Sequence, residues 1–297
     1  MKLPIFTDEP GWQGAQLKLA FAKRGVDASF VSLQDCVIDL SLPKPSIVIP
    51  GFECAPPAAF VRGVAGGTLP QVITRLNILH MLSSVGVRIY NDVRAIERTV
   101  DKAMTSFLLR RHEVATPATW VCESRAQIAL IRERALQNNM QLVMKPLFGS
   151  QGQGVRKLLV HEPLPVPMQQ YVDGVYYLQQ YIESADISHD YRVFVIGNQV
   201  VAAMRRLGDG FVNNVAAGGR CEFVIPDKPM ATLALAAAKA VDIDYCGIDI
   251  IRAKDGTYSV LEVNSIPAWR GLQSVTTCNI AEMLVDDFLS KLVEVRS

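Results

Sequence analysis

The sequence predicts an α/β fold in two parts: an open α/β domain at the N-terminus, then a larger region in which antiparallel hairpins (α+β elements) carry the chemistry. Three observations lead there. The first ninety residues alternate β-branched runs with helical patterns. Two tight-turn signals, Gly197-Asn198 and Asp255-Gly256, each sit between β-branched runs. A length of 297 residues with 49% hydrophobic content suits two or three packed cores. A net charge of +1 supplies no general field for nucleic acid or an anionic membrane, so neither is expected as a partner and any anion recognition must be local. Cys36, Cys54, Cys122, Cys221, Cys246 and Cys278 show no Cys-x-x-Cys spacing and read as reduced packing thiols. Met1-Lys2-Leu3-Pro4 has no apolar signal core, and the greasiest helix, Ala231 to Val241, is short and contains Lys239. A soluble, cytoplasmic protein is expected.

In chain order, Leu3 to Phe6, Ala28 to Leu33 and Ser46 to Ile49 read as strands, with a helical pattern from Gln16 to Lys23 that stops at Gly25. This is an opening βαβ-type unit. Its first loop, Thr7 to Trp12, lies at the carboxyl end of a strand, where open α/β sheets bind ligands. Trp12 there either stacks on a substrate ring or anchors the helix. A second helix, about Leu69 to Ser84, leads through Gly86 to a strand, Val87 to Tyr90. After Asn91-Asp92 a charged helical stretch runs from Arg94 to Arg111, which puts the domain boundary near residue 98.

Trp120 to Cys122 reads as a strand, Ser124 as the N-cap of a helix reaching Asn138, and Leu142 to Lys145 as the next strand. Lys145 then opens a loop with three glycines, Gly149, Gly152 and Gly154, before a new run from Val155 to Val160. Glycines let backbone N–H groups approach phosphate oxygens, and a lysine adds a point charge to the same group. No Gly-Lys-Ser/Thr opens a helix, so this is not a P-loop, and a flexible hairpin tip is the alternative. Tyr176 to Ile182, Tyr191 to Ile196 and Val200 to Arg206 are further strands, the last two paired about Gly197-Asn198. That pairing brings Arg192, Arg205 and Arg206 near Asp190, either as a clamp for phosphate or carboxylate or as an exposed face with ion pairs. The loop Gly208 to Gly219 carries Asn213 and Asn214. His80, His112, His161 and His189 show no metal spacing.

The most telling stretch is Cys246 to Asn264. It reads as a hairpin with a two-residue Asp255-Gly256 loop, in which Lys254 faces Thr257. Counting outward sets Asp249 opposite Glu262, with Asn264 on the same face and Leu261 and Val263 facing away. Facing carboxylates repel. A hard divalent cation turns that repulsion into a site, and Mg²⁺ prefers one or two carboxylates plus a substrate's phosphates. A nucleotide is thereby predicted along with the metal, against the alternative of a solvated sheet face with incidental acids.

These residues carry a resemblance that runs from about Asp101 to the C-terminus. Asp101-Lys102, Val143-Met144-Lys145-Pro146, Gly149-Ser150-Gln151-Gly152, Gln179-Gln180-Tyr181-Ile182, Asp190-Tyr191-Arg192, Gly247-Ile248-Asp249 and Leu261-Glu262-Val263-Asn264 resemble, in order and spacing, the ATP-grasp fold and its RimK-like glutamate ligases. The first ninety residues resemble the family's leading domain. The resemblance implies a pre-ATP-grasp domain over 1–98 and an ATP-grasp domain over 99–297, with a small lobe about 105–182 and a large lobe about 183–297. It implies that Lys102 and Lys145 contact ATP phosphates together with Ser150 and Gly152, and that Gln180, Tyr181 and Ile182 grip adenine. Asp190 and Asn214 are expected beside the nucleotide, and Asp249, Glu262 and Asn264 around Mg²⁺ or Mn²⁺.

Departures from the family wording are equally informative. Where Asn-x-x-Pro-Gly-x-Glu-Gly-x-Glu is common, this chain reads Asn264 to Gln273 with Arg270 and Gln273 in place of acids. An arginine usual before the loop asparagine is Val212 here. The Pro267 to Gln273 wording resembles a subgroup linked to tetrahydromethanopterin, in which glutamate is added to a pterin. The resemblance implies ATP-dependent carboxylate–amine ligation through an acyl phosphate. Arg206, Lys145 and Arg192 are expected to act on the transferring group, with Arg270, Trp12 and Arg192 against the substrate. The partners implied are a small-molecule carboxylate acceptor and an amino acid, glutamate, with a homo-oligomer as one possible state. The alternatives are a glutamate ligase acting on a protein C-terminus or carrier protein, a small-molecule kinase on the same fold, and a nucleotide sensor.

Overall fold

The computed structural model describes residues 1–41, 43–149, 154–159, 174–184, 189–208 and 220–294. The chain forms two compact units, and each is built from separated segments. The first comprises Met1–Ile96, Ile243–Tyr245 and Ser265–Ser297; the second comprises Glu97–Asp242 and Cys246–Asn264.

The first unit opens with β1 (Lys2–Phe6), α1 (Gly11–Lys23) and β2 (Asp27–Val31), and Gly25 at φ +68° supplies the left-handed turn that ends the helix. After a short hairpin, β3 (Val37–Asp39) and β4 (Ser46–Val48), come β5 (Ala58–Val61), α2 (Leu69–Ser84) and β6 (Arg88–Tyr90). β1, β2, β5 and β6 make a parallel sheet in the order β2-β1-β5-β6. The strand expected at Ser46 to Ile49 forms as β4, but it lies outside this sheet. That run pairs antiparallel with β3 and is largely exposed, whereas all four residues of β5 are fully buried, as a strand inside a parallel sheet must be. The alanines of β5 hid it, because alanine is depleted in strands while Ile47 and Val48 look like strand residues.

α2 begins with a capping box in which Thr68 and Gln71 satisfy each other's backbone groups. α3 (Val93–Val100) and α4 (Lys102–Arg111) replace the continuous helix expected from Arg94 to Arg111. The reason is Asp101, whose carboxylate accepts from the Ala103 and Met104 N–H groups at 2.8 and 3.1 Å and so starts a new helix.

The second unit continues with β7 (Thr119–Cys122), α5 (Arg125–Gln137), β8 (Leu142–Lys145), β9 (Arg156–Leu158) and β10 (Tyr176–Gln180). These four strands form a sheet in the order β7-β10-β8-β9 with antiparallel pairings. β11 (His189–Ile196), β12 (Gln199–Leu207) and β13 (Arg220–Phe223) are followed by α6 (Lys228–Val241), β14 (Tyr245–Arg252) and β15 (Tyr258–Asn264). They make a five-stranded sheet, β13-β12-β11-β14-β15, and α6 covers it with its alanine face, burying Ala234, Ala237, Ala238 and Ala240. α7 (Arg270–Gln273) and α8 (Ile280–Glu294) end the chain in the first unit. There Phe288 of α8 joins Phe21, Phe60, Tyr90 and Tyr245 in an aromatic core, and Lys23 and Arg24 pair with Glu282 and Asp286. Among the described residues no helix is long and apolar enough to cross a membrane.

Candidate active site

The β14–β15 hairpin does place Asp249 directly opposite Glu262, but by a different route from the one the sequence suggested. Ala253, not Lys254, faces Thr257: the Ala253 N–H donates to the Thr257 carbonyl at 2.8 Å and the Gly256 N–H to the Ala253 carbonyl at 2.9 Å. The loop is thus the three residues Lys254, Asp255 and Gly256, with Gly256 at φ +87°, a left-handed residue closing a turn. Left alone, that register would set Asp249 opposite Leu261. A bulge between Asp249 and Ile250 inserts one unpaired residue, Leu261, and restores the acid pair. It also changes the buried set: Val260 and Val263 are fully buried, and Leu261 is only half-buried.

Around this pair the second unit assembles two layers of charge. Arg192 on β11 grips both oxygens of Asp249, through Nε to Oδ1 and through Nη2 to Oδ2 at 3.0 Å. Arg206 on β12 takes Asp190 by two parallel hydrogen bonds of 2.7 and 2.6 Å and touches Asp249 Oδ2 at 3.0 Å. Both guanidinium groups are largely enclosed, at 12% and 5% side-chain exposure, so these are buried ion pairs and not surface ones. The pairing settles how the expected arginine cluster divides: Arg206 meets Asp190, Arg192 meets Asp249, and Arg205 turns to Glu222 at 2.6 Å.

The two lysines stand within the field of the same acids. Lys145, at the end of β8, is enclosed and donates to the Gln179 side-chain oxygen at 2.6 Å. Burial pulls its ammonium down to about 8, with Glu262 pulling the other way. Lys102, the first residue of α4, donates to the Gly149 carbonyl at 2.8 Å and weakly to Leu147, holding the start of the glycine loop. Its pKa is likewise lowered by burial against the field of Glu262. Glu262 is raised by burial and by Asp249. Asp249 is pushed up by burial but held below its ordinary value overall by Arg192 and Arg206. Two facing carboxylates have been driven apart by their surroundings.

The donor set suits a hard cation. Among the described residues Glu262 has no hydrogen-bond partner, and Asn264 gives its Nδ2 to the Gly247 carbonyl at 3.4 Å, which leaves Oδ1 for another contact. Glu262 and Asn264 offer oxygens that suit Mg²⁺ beside phosphate oxygens, whereas Asp249 would have to share its oxygens with Arg192 and Arg206. Among the described residues no three His, Cys, Asp or Glu side chains converge as a metal site, so a cation here would depend on Asn264 and phosphate oxygens as well as the acids.

Gln180 ends β10 and Tyr181 and Ile182 follow it. The N–H groups of Gln180 and Tyr181 donate to the Ala118 and Gln141 carbonyls at 2.8 Å each, and Lys157 lies 3.9 Å from the Tyr181 ring centre. Asp190 is committed to Arg206, so its first task is to orient that arginine. Ser150, Gly152 and Asn214 lie outside the described residues, as does Val212. Trp12 and Arg270 belong to the first unit. Trp12 is half-buried in the first turn of α1, which starts earlier than its pattern implied. Arg270 opens α7 exposed and without a side-chain partner among the described residues, and the nearby helix α8 offers no free acid in Glu282, which pairs with Lys23 and Arg24.

One positioning residue escaped the sequence reading. Gln179 is fully buried and uses its whole carboxamide, accepting from Lys145 and donating to the Tyr177 and Thr119 hydroxyls at 3.1 and 3.2 Å. Tyr177 in turn meets Ser106 at 2.7 Å. Its signal is a glutamine on a largely apolar strand, diagonal to Lys145 on the adjacent strand, where Tyr177 stands opposite Lys145 and Gln179 opposite Val143, and reading it requires knowing that β8 and β10 pair.

With that geometry in place, comparison with known proteins is direct. The family model of the RimK-like ATP-grasp domain matches residues 99–288. The chain is 30% identical over 304 residues to the tetrahydromethanopterin:α-L-glutamate ligase of Methanococcus maripaludis, covering 98% of each chain. It is 29% identical over 300 residues to the enzyme of the same name from Methanocaldococcus jannaschii, covering 97% of this chain and 98% of that one. Among solved structures, the ATP-grasp ligase PsnB complexed with minimal precursor has the same fold, with a TM-score of 0.75 at 21% identity over 97% of this chain and 98% of that one. The chain belongs to the RimK-like ATP-grasp family and is an ATP-dependent ligase.

Proposed function

We propose that this ligase joins the amine of L-glutamate to a carboxylate of a small-molecule acceptor of the pterin class, using ATP and Mg²⁺ or Mn²⁺. The observation that carries the reading is the meeting of Asp190, Asp249 and Glu262 with Lys102, Lys145, Arg192 and Arg206, three acids among four cations. Such a cluster suits a nucleotide's phosphates with their metal. The acceptor class rests on the two methanogen ligases, each similar over nearly its whole length.

In the reaction, an acceptor carboxylate oxygen attacks the γ-phosphorus of ATP and the bond to ADP breaks, leaving an acyl phosphate. The glutamate amine then attacks the acyl carbon, phosphate leaves with the bonding pair, and the nitrogen loses a proton. Asp249, Glu262 and Asn264 would hold the metal, which when bound neutralises charge on the phosphate oxygens. Lys145 and Lys102 take phosphate oxygens, and Arg206 and Arg192 offset charge on the transferring group. Gln180, Tyr181 and Ile182 receive adenine. Ser150 and Gly152, and Asn214 in its loop, complete the nucleotide contacts in this reading. Positioning and charge carry the first step, so no side-chain nucleophile is required.

An ADP-release screen tests this, crossing amino acids with carboxylate acceptors that include pterins, folates and C-terminal peptides. ADP formation that needs both L-glutamate and a pterin acid, with the amide as product, is expected. A stable phosphorylated acceptor formed without amine would replace ligation by kinase chemistry.

A further inference from the structure

Arg62 follows the last residue of β5, at the carboxyl end of the parallel sheet of the first unit, where open α/β sheets take ligands. Its guanidinium carbon lies 4.9 Å from the ring centre of Trp269, which is itself fully buried. Nη1 is sealed from solvent and has no hydrogen-bond partner. Among the described residues no carboxylate answers the charge: burial lowers the pKa of this guanidinium, and the group that counters it is the buried phenol of Tyr245, whose hydroxyl is already given to the Val61 carbonyl at 3.1 Å. The cation Arg75 in the same unit is also without an acid among the described residues. Arg75 spends Nη1 on the Ala65 and Gly66 carbonyls, at 2.7 Å each, and Nη2 on Gln34 at 3.2 Å.

A half-buried cation with one nitrogen sealed from water and no counterion among the described residues is costly unless an anion arrives to pair with it. The Trp269 ring supports the guanidinium from one side at 4.9 Å, and a guanidinium so held can offer a carboxylate a planar two-point contact. We propose that Arg62, held on Trp269, is a specificity-determining receptor for a carboxylate of the small-molecule substrates of ligation. This rests on the ligase reading above, and it assigns recognition, not chemistry, to the first unit. Carboxylate, not phosphate, is the class the geometry points to, because the nucleotide's cations are already gathered in the second unit around Asp249 and Glu262.

The test uses the full chain in two assays. In the first, without nucleotide, L-glutamate and glutarate are titrated while the melting temperature is followed. The wild type is expected to be stabilised by at least one of them and Arg62→Met to lose that response, with its own melting temperature unchanged or raised because an unpaired buried charge has gone. In the second, ADP release is measured with the active substrate pair. Arg62→Met is expected to raise KM for one carboxylate substrate about 10- to 100-fold, with KM for ATP within twofold, and Arg62→Lys to recover part of the loss. No carboxylate-dependent stabilisation of the wild type, an unchanged substrate KM in Arg62→Met, or lost thermal stability as its only effect would each overturn the proposal. Failure of every acceptor to release ADP, with the Arg62-dependent stabilisation intact, would sink the ligation reading and leave the receptor standing.

Discussion

The two facing carboxylates should respond to neutralisation with opposite signs of stability, although either change should abolish activity. Asp249 is the sole hydrogen-bond partner of Arg192 among the described residues and a second partner for Arg206, and both arginines are enclosed. Asp249→Asn strands the Arg192 charge, and removing one partner of a buried pair costs about 3 to 5 kcal/mol. Asparagine keeps one acceptor oxygen, so about 3 kcal/mol is the working figure. For a unit of this size that is a fall of about 6 to 12 °C in Tm. Glu262 is the reverse case, because burial and Asp249 raise its pKa and no hydrogen bond holds its charge. Glu262→Gln should leave the Tm unchanged or raise it.

The signs follow from linkage. A carboxyl raised above 4.5 in the fold costs stability at every pH above that value, so the gain from Gln is present at neutral pH and vanishes on acidification below about 4.5. Asp249, held below 3.8, contributes stability above that value and loses it as pH falls through its folded pKa. Differential scanning fluorimetry of the two variants without ligand, beside ADP release at saturating Mg²⁺, reads all of this. Turnover should fall by at least about 100-fold in both, from the loss of metal-held charge stabilisation. Equal destabilisation of both variants, or near-normal turnover in either, would refute the assignment of Asp249 and Glu262.

Lys145, at about 8 in the free enzyme, loses its charge as pH rises through that value, so kcat/KM for ATP should decline above pH 8. Lys145→Arg should be slower but flat across that range; a flat wild-type profile from pH 7 to 9.5 counts against Lys145 as a phosphate contact. Gln179→Glu sets an acid 2.6 Å from the same ammonium and should move the decline to higher pH, whereas Gln179→Leu should move it lower. An unmoved midpoint in both variants would remove Gln179 from the site. Arg270→Gln should raise KM for the acid or its amine partner about tenfold, with KM for ATP and Tm nearly constant and Arg270→Lys restoring only part. Lost thermal stability as the only effect would assign Arg270 to structure.

How much of the fold the sequence displays depends on which force sets each element. Helices with strong boundaries were legible: α2 runs from Leu69 to Ser84 as its pattern implied, because Thr68, Pro70 and Gln71 write its start locally. β5 was not legible. Ala58-Ala59-Phe60-Val61 becomes a strand through burial between β1 and β6, a tertiary effect that overrides alanine's weak strand preference. The return of Tyr245 and α8 to the first unit is equally tertiary, fixed by the aromatic core around Phe60 and by ion pairs more than two hundred residues apart in sequence.

The acid pair shows why a local pattern can succeed through steps that are individually wrong. The two-residue turn was expected because Asp-Gly is the strongest short hairpin signal, but Asp255 instead caps its own loop by accepting from the Thr257 N–H at 2.9 Å and from its hydroxyl at 2.7 Å. That interaction lengthens the turn to three residues and shifts the register by one. The bulge at Leu261 shifts it back, and what selects the bulge is the site itself. Without it Glu262 and Asn264 would turn away from Asp249, and Lys102 and Lys145 would face no carboxylate on β15. Alternation in the sequence records where the acids must end up, so it pointed to the right pair. It says nothing of which irregularity brings them there, and nothing of the arginines that occupy Asp249, because those arrive from strands fifty residues away.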